Sequence, residues 1–190
     1  MIWNRRRVLK AGTALAGVSA AALLAPPVRG KERAREAATA VSGRRISLLN
    51  LHTDERLDIE YFRDGAYLPE ALAAIEGCLR DFRTGERHAM DPGLMDYLVD
   101  VAHAIGVDPK FSVISGYRSP QTNAMLHERS AGVAQRSLHM QGRAIDVRMS
   151  GVDCADLAAR ALELTRGGVG YYRSSDFVHL DTGAFRTWKG

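Results

Sequence analysis

What this 190-residue chain lacks closes off several classes of protein. It has two cysteines, Cys78 and Cys154, too few for a disulfide framework and without the spacing of a zinc knuckle. A bridge between them is permitted in an oxidising compartment, but their separation and helical setting favour two free, partly buried thiols. No apolar run reaches the roughly 20 residues that a membrane-spanning helix needs; the run from Ala11 to Ala25 has 15. Acid is absent from residues 1–30. They carry Arg5, Arg6, Arg7, Lys10 and Arg29 against a whole-chain net charge of +4, so the remainder is net −1. The basic character of the chain therefore belongs to its first segment. The rest has no surplus of cations to neutralise phosphates, which argues against nucleic-acid binding. Internal repeats are also missing, as are low-complexity tracts beyond that first segment.

What is present begins with an address. A basic start, the apolar run and then Pro26-Pro27 describe an export signal over residues 1–30. Arg5-Arg6, followed by Arg7, Val8, Leu9 and Lys10, fits the twin-arginine pattern, which makes the translocation machinery for folded proteins an expected partner. The expected location is the periplasm. Val28-Arg29-Gly30 offers a usable cleavage site; left uncleaved, the segment would be an inner-membrane anchor and the only contact with the membrane. Residues 31–45 are charged and alanine-rich without an apolar stripe, and read as a linker. Residues 46–190 are then enough for one domain with its own core.

Within that domain, Ile46 to His52 and Leu57 to Phe62 alternate as a hairpin would, and Asp64-Gly65 marks a turn. Pro69 suits the first turn of a helix through about Phe82, with Leu72, Ile75, Leu79 and Phe82 on one face. Asp91-Pro92 opens a second helix, which Gly106 ends. Phe111 to Ile114 is a strand, and Ser119-Pro120 starts a helix reaching about Arg129. Arg143 to Met149 alternates as a strand, with Ala144, Asp146 and Arg148 on one face and Ile145 and Val147 on the other. Asp153 caps another helix, and Val169–Tyr172 and Phe177–Asp181 complete the sheet. This mixture predicts an α+β fold, a small antiparallel sheet with helices packed on it.

The chemistry concentrates late in the chain. His139 and Asp146 lie seven apart around Gly142, and His179 stands two before Asp181 in Phe177-Val-His-Leu-Asp181. A loop doubling back over a strand can bring the first pair together, and the second pair shares one strand face. If the strands are neighbours, all four groups meet in one cleft. Two imidazoles and a carboxylate make a zinc site with a fourth position open to water. Taken singly, a histidine such as His139 beside a glycine turn is more often a hydrogen-bonded surface residue. Asp146 between Ile145 and Val147 is harder to dismiss, because a carboxylate facing a core must be paired or ligated. His52, His88, His103 and His127 lack comparable context, and Trp188 reads as core.

Ser137-x-His139-x-x-Gly142-x-Ala144-x-Asp146 with the distant His179 resembles the zinc peptidase clan of D-alanyl-D-alanine carboxypeptidases and VanX-like dipeptidases. The twin-arginine start, Ser115-Gly-Tyr-Arg118-Ser, Gly168-Val-Gly-Tyr-Tyr172, Phe177–Gly183 and Arg186-Thr-Trp188 look closer to the exported MepK/YcbK-like murein endopeptidases. That resemblance implies Zn²⁺ held by His139, Asp146 and His179, and peptidoglycan stem peptides and their cross-links as substrate. It also implies that Arg118 polarises the scissile carbonyl, for which the alternative is a surface salt bridge. Ser137 then either binds substrate or braces the turn. Asp176, three before His179, has the offset of the clan's general base, although those relatives carry the longer glutamate there. Asp181 is its rival, or else orients an imidazole. A D,D-carboxypeptidase or dipeptidase, and a zinc-containing peptidoglycan-binding module without turnover, are the competing functions.

Overall fold

The computed structural model describes residues 43–130 and 132–190. The expected export signal and most of the expected linker lie outside the described residues. Arg44 and Arg45, the last two linker positions, already belong to the first strand.

The elements run β1 (Arg44–Asn50), β2 (Arg56–Arg63), β3 (Ala66–Tyr67), α1 (Pro69–Cys78), α2 (Pro92–Ile105), β4 (Lys110–Ser115), α3 (Pro120–Arg129), a 3-10 turn (Leu138–Gln141), β5 (Ala144–Arg148), α4 (Cys154–Glu163), β6 (Gly168–Tyr172), β7 (Phe177–Asp181) and β8 (Arg186–Lys189). The fold is α+β, as expected. Its sheet is larger and less uniform than expected: eight strands in the order β3-β2-β1-β4-β5-β7-β6-β8. β1 runs parallel to β4, and β6 to β8; the other pairs are antiparallel. The parallel pairing of β1 and β4 follows from their connection. It passes through a hairpin and two helices, long enough to return the chain to its starting end.

Two faces of this sheet have different fates. Ile46, Leu48, Phe111, Val113, Ile145, Val147, Val178 and Leu180 join one core with Ile75 of α1, Leu94, Leu98 and Val101 of α2, and Leu157 of α4. Truncating such a fully buried Leu or Ile to Ala typically costs about 2–5 kcal/mol. Ala144 and Asp146, alternating with the core residues of β5, face the other way. α3 buries only Thr122 and Asn123.

α1 stops at Cys78, one turn short of the expected Phe82. The chain leaves the helix because Asp81 is wanted elsewhere. Its carboxylate accepts from Arg83 N at 2.9 Å, Ser119 N at 2.9 Å and Ser119 Oγ at 2.7 Å. Phe82, freed from the helix, stacks on His52 at 3.9 Å between ring centroids. Cys78 and Cys154 are both free and buried, as expected; burial pushes each thiol up to about 11. Among the described residues no helix is long and apolar enough to cross a membrane.

Candidate metal centre

β5 and β7 are neighbours, and their register sets Asp146 directly opposite His179. Because side chains alternate along a strand, Asp181 shares the face of His179. His139 arrives from outside the sheet, on the 3-10 turn. Ser137 caps that turn by accepting from His139 N at 3.3 Å, and Gly142 ends it with φ +64°. A side chain at Gly142 would also set its Cβ 2.0 Å from the Ala89 carbonyl oxygen, so the turn is pressed against the loop before α2.

The three expected ligands are buried and offer donor atoms that all lie within 4.8 Å of one another. His139 Nε2 is 3.2 Å from His179 Nδ1, and Asp146 Oδ1 is 2.8 Å from His179 Nδ1 and 3.2 Å from His139 Nε2. The far nitrogens explain these orientations. His139 Nδ1 donates to the Gly116 carbonyl at 2.7 Å, and His179 Nε2 donates to Asp181 Oδ2 at 3.0 Å. With its proton held outside, each imidazole turns a lone pair inward. Two inward lone pairs 3.2 Å apart beside a carboxylate repel unless positive charge offsets them, and the Arg118 guanidinium, which contacts Asp146 and His139, supplies part of it. Such separations are close to the edge of a tetrahedron with ligand bonds of about 2.0–2.1 Å, roughly 3.3 Å. The donor set fits a divalent metal.

Electrostatics favour the ligating state at His139 and Asp146, and favour protonation at His179. Burial outweighs the nearby carboxylate at His139 and holds its pKa down, which favours the neutral, ligating form. At His179 burial also opposes protonation, but Asp146 and Asp181 overcome it and raise the pKa. Burial would raise Asp146; His139, His179 and Arg118 outweigh it and keep the carboxylate ionised.

Arg118 leaves the end of β4 and lies inside the site, its side chain 13% exposed. Its Nη2 bonds Asp146 Oδ2 and approaches His139 Nε2 at 3.1 Å, while Nε donates to Ser115 Oγ at 2.8 Å. Asp181 is fully buried. Besides His179 it accepts from Gly168 N at 3.1 Å, Gly183 N at 2.8 Å and Arg186 Nη2 at 2.7 Å. Asp176 stands apart. It sits on the β6–β7 turn with φ +50°, and its exposed carboxylate accepts from Arg148 Nη1 at 3.1 Å. Ser175 and Phe177 on either side of it line the cavity described next, whereas Asp176 does not.

That cavity, of about 460 Å³, ends at the three ligands and is also lined by Arg118 and Ser137. Its remaining wall includes residues the sequence reading missed, Arg136, Arg186 and Trp188. Trp188, read as core, is half-buried in the wall, its ring centroid 5.2 Å from that of His179. Its Nε1 donates to Tyr172 Oη at 2.9 Å. The reason is visible only in the sheet. Gly170 pairs with Trp188 in register, and any Cβ there would come within 2.5 Å of the indole.

Residues 38–188 match the family model described as peptidoglycan L,D-endopeptidase MepK. The chain is 38% identical over 185 residues to the peptidoglycan L,D-endopeptidase MepK of Escherichia coli strain K12, covering 97% of each chain. The Shigella flexneri protein of the same description gives the same figures, 38% identity and 97% of each chain. The probable peptidoglycan L,D-endopeptidase MepK of Haemophilus influenzae is 41% identical over 146 residues, 76% of this chain and 78% of that one. No solved structure matches the chain. The match over nearly its whole length and the His-Asp-His centre together place the chain in the MepK family of peptidoglycan L,D-endopeptidases, as a metallopeptidase.

Proposed function

We propose that this chain is a zinc-dependent murein endopeptidase that hydrolyses the peptide cross-links of peptidoglycan. The observation that carries the reading is the convergence of His139 Nε2, Asp146 and His179 Nδ1 at the end of an open cavity, with Arg118 beside them. Two nitrogens and one oxygen with a fourth position free suit Zn²⁺. When bound, the metal would supply Lewis acidity toward the scissile carbonyl and a nucleophile at neutral pH.

The chain's own groups then divide the work. Arg118, fixed by Asp146 and Ser115, is placed to donate to the carbonyl oxygen as negative charge grows on it. Asp181 holds the outer proton of His179 and so keeps Nδ1 turned inward. Ser137 braces the turn that carries His139 while lining the cavity, where its hydroxyl can also meet substrate. For Asp176, its offset three before His179 and its lining neighbours Ser175 and Phe177 support a role in carrying the proton to the leaving amine. In that role it exchanges its contact with Arg148 for the reacting groups. Asp181 has no such freedom, because its oxygens are taken by five donors from His179, Gly168, Gly183 and Arg186.

The same proposal includes the organisation of the chain: an export signal over 1–30, a linker over 31–45 and a peptidase domain over 46–190. Arg5-Arg6 supports delivery to the periplasm through the twin-arginine machinery. Incubation with purified cross-linked muropeptide dimers tests the function. An endopeptidase yields two monomers, a carboxypeptidase releases only a terminal residue, and a binding module leaves the dimer intact. Either of the last two results would overturn the proposal.

A further inference from the structure

The cavity that ends at the metal ligands is lopsided in charge. Its described lining carries three guanidiniums, Arg118, Arg136 and Arg186, against one carboxylate, that of Asp146. Two of the three cations are committed. Arg118 is tied to Asp146 and Ser115. Arg186 grips both oxygens of Asp181, at 3.0 and 2.7 Å, and lies 5.0 Å over the Trp188 ring. Arg136 differs: it is exposed and makes neither an ion pair nor a side-chain hydrogen bond with any described residue. It stands immediately before Ser137, three residues before His139, at the end of the segment joining α3 to the 3-10 turn.

A cavity built to hold an amide for cleavage needs no such cation for the amide itself. A guanidinium in its wall with no partner among the described residues matches a group with two anionic oxygens, which it can engage through two parallel N–H donors. A primary amide in the same place offers one acceptor oxygen and turns an NH₂ toward the guanidinium, losing both the charge and one hydrogen bond.

We propose that Arg136 is a specificity-determining residue that pairs with a free carboxylate of the substrate close to the scissile bond. The preferred substrates are then peptide cross-links flanked by a free acid rather than by its amide. This rests on the peptidase reading and narrows its substrate class. The cationic surplus also draws anionic substrate toward the cavity, so the preference weakens as salt rises.

The test uses the zinc-loaded full chain, a cross-linked muropeptide dimer and its counterpart with the neighbouring carboxylate converted to a primary amide. Wild-type protein should favour the acid by about 10-fold or more in kcat/KM, the range of one charge-assisted hydrogen-bonded pair. Arg136→Gln should bring the two substrates near parity, with the change falling on KM for the acid. Arg136→Lys, which keeps the charge without the fork, should recover part of the preference. Equal treatment of both substrates by the wild type, or an undiminished preference in Arg136→Gln, overturns the proposal. Equilibrium binding of the same pair separates this failure from that of the peptidase reading. Acid-selective binding that needs Arg136, without hydrolysis, removes the peptidase reading and keeps this one. Hydrolysis of both without selectivity does the reverse, and a protein that neither binds nor cuts either substrate refutes both.

Discussion

His139 and His179 are built alike: an outer nitrogen tied to the protein and an inner lone pair turned toward Asp146. His139→Ala, His179→Ala and Asp146→Ala should therefore each abolish metal binding and turnover together, as read by metal analysis on the assayed sample. Full metal content with full activity in any one of them removes that residue from the centre. Asp181→Asn is a subtler change. Its NH₂ replaces one of two accepting oxygens, facing either Gly168, Gly183 and Arg186 Nη1 or His179 and Arg186 Nη2 with a group that cannot accept. It should weaken metal affinity by roughly 10- to 100-fold, as loss of a ligand's orienting partner does, while leaving turnover at saturating zinc largely intact. Asp176→Asn should do the opposite, keeping the metal and lowering turnover together with the acidic limb of the pH–rate profile. Exchange of these two patterns would exchange the two roles. The ligands were legible in the sequence because Ser137-x-His139-x-x-Gly142-x-Ala144-x-Asp146 combines a cap, a turn and a strand whose geometries are local. The Asp176–Arg148 contact joins residues 28 apart across the sheet, and nothing in their spacing announces it.

At the scale of elements, the site depends on how a 3-10 turn is pressed against the loop before α2. Gly142 meets two demands there, a left-handed backbone and a closest approach to Ala89 that admits no side chain. Gly142→Ala should lower stability by about 2 kcal/mol or more and shift His139, so that thermal unfolding and zinc affinity fall together. An unchanged melt with unchanged zinc affinity would contradict this account of the turn. Most helices and strands could be read from periodicity and caps: Asp91 before Pro92, Ser119 before Pro120 and Asp153 all accept from their helix's first turn. β8 could not. Arg-Thr-Trp-Lys carries no apolar alternation, and its parallel pairing with β6 is decided by the Gly170–Trp188 fit across strands. The end of α1 was hidden for a similar reason, because the pull of Ser119 on Asp81 comes from 38 residues away.

At the scale of the whole molecule, Asp81 ties the loop after α1 to the start of α3. Burial alone would raise its pKa, but hydrogen bonds from Thr122, Ser119 and Arg83 outweigh it and bring it down to about 2 from an ordinary 3.8. A lowered folded-state pKa stabilises the fold above the unfolded value, and that contribution is lost as pH falls through about 2. Between pH 5 and pH 2.5 the wild type should thus lose more urea resistance than Asp81→Asn, which has no proton to take up. Equal losses would show that Asp81 does not contribute to the acid limit. Across the whole chain, charge was informative only after division: the five cations of residues 1–30 mask a remainder that is net −1. Within that remainder the charge gathers locally, as three arginines around the cavity. The central proposal is that the chain hydrolyses peptidoglycan cross-links only with one metal ion, which His139, Asp146 and His179 would hold. Its most direct test is to titrate metal-free protein with Zn²⁺ while following cleavage of a cross-linked muropeptide dimer to monomers. The account predicts no cleavage at the outset and a linear rise that breaks at one equivalent. Cleavage by the metal-free protein, or an inert protein with the site filled, would contradict it.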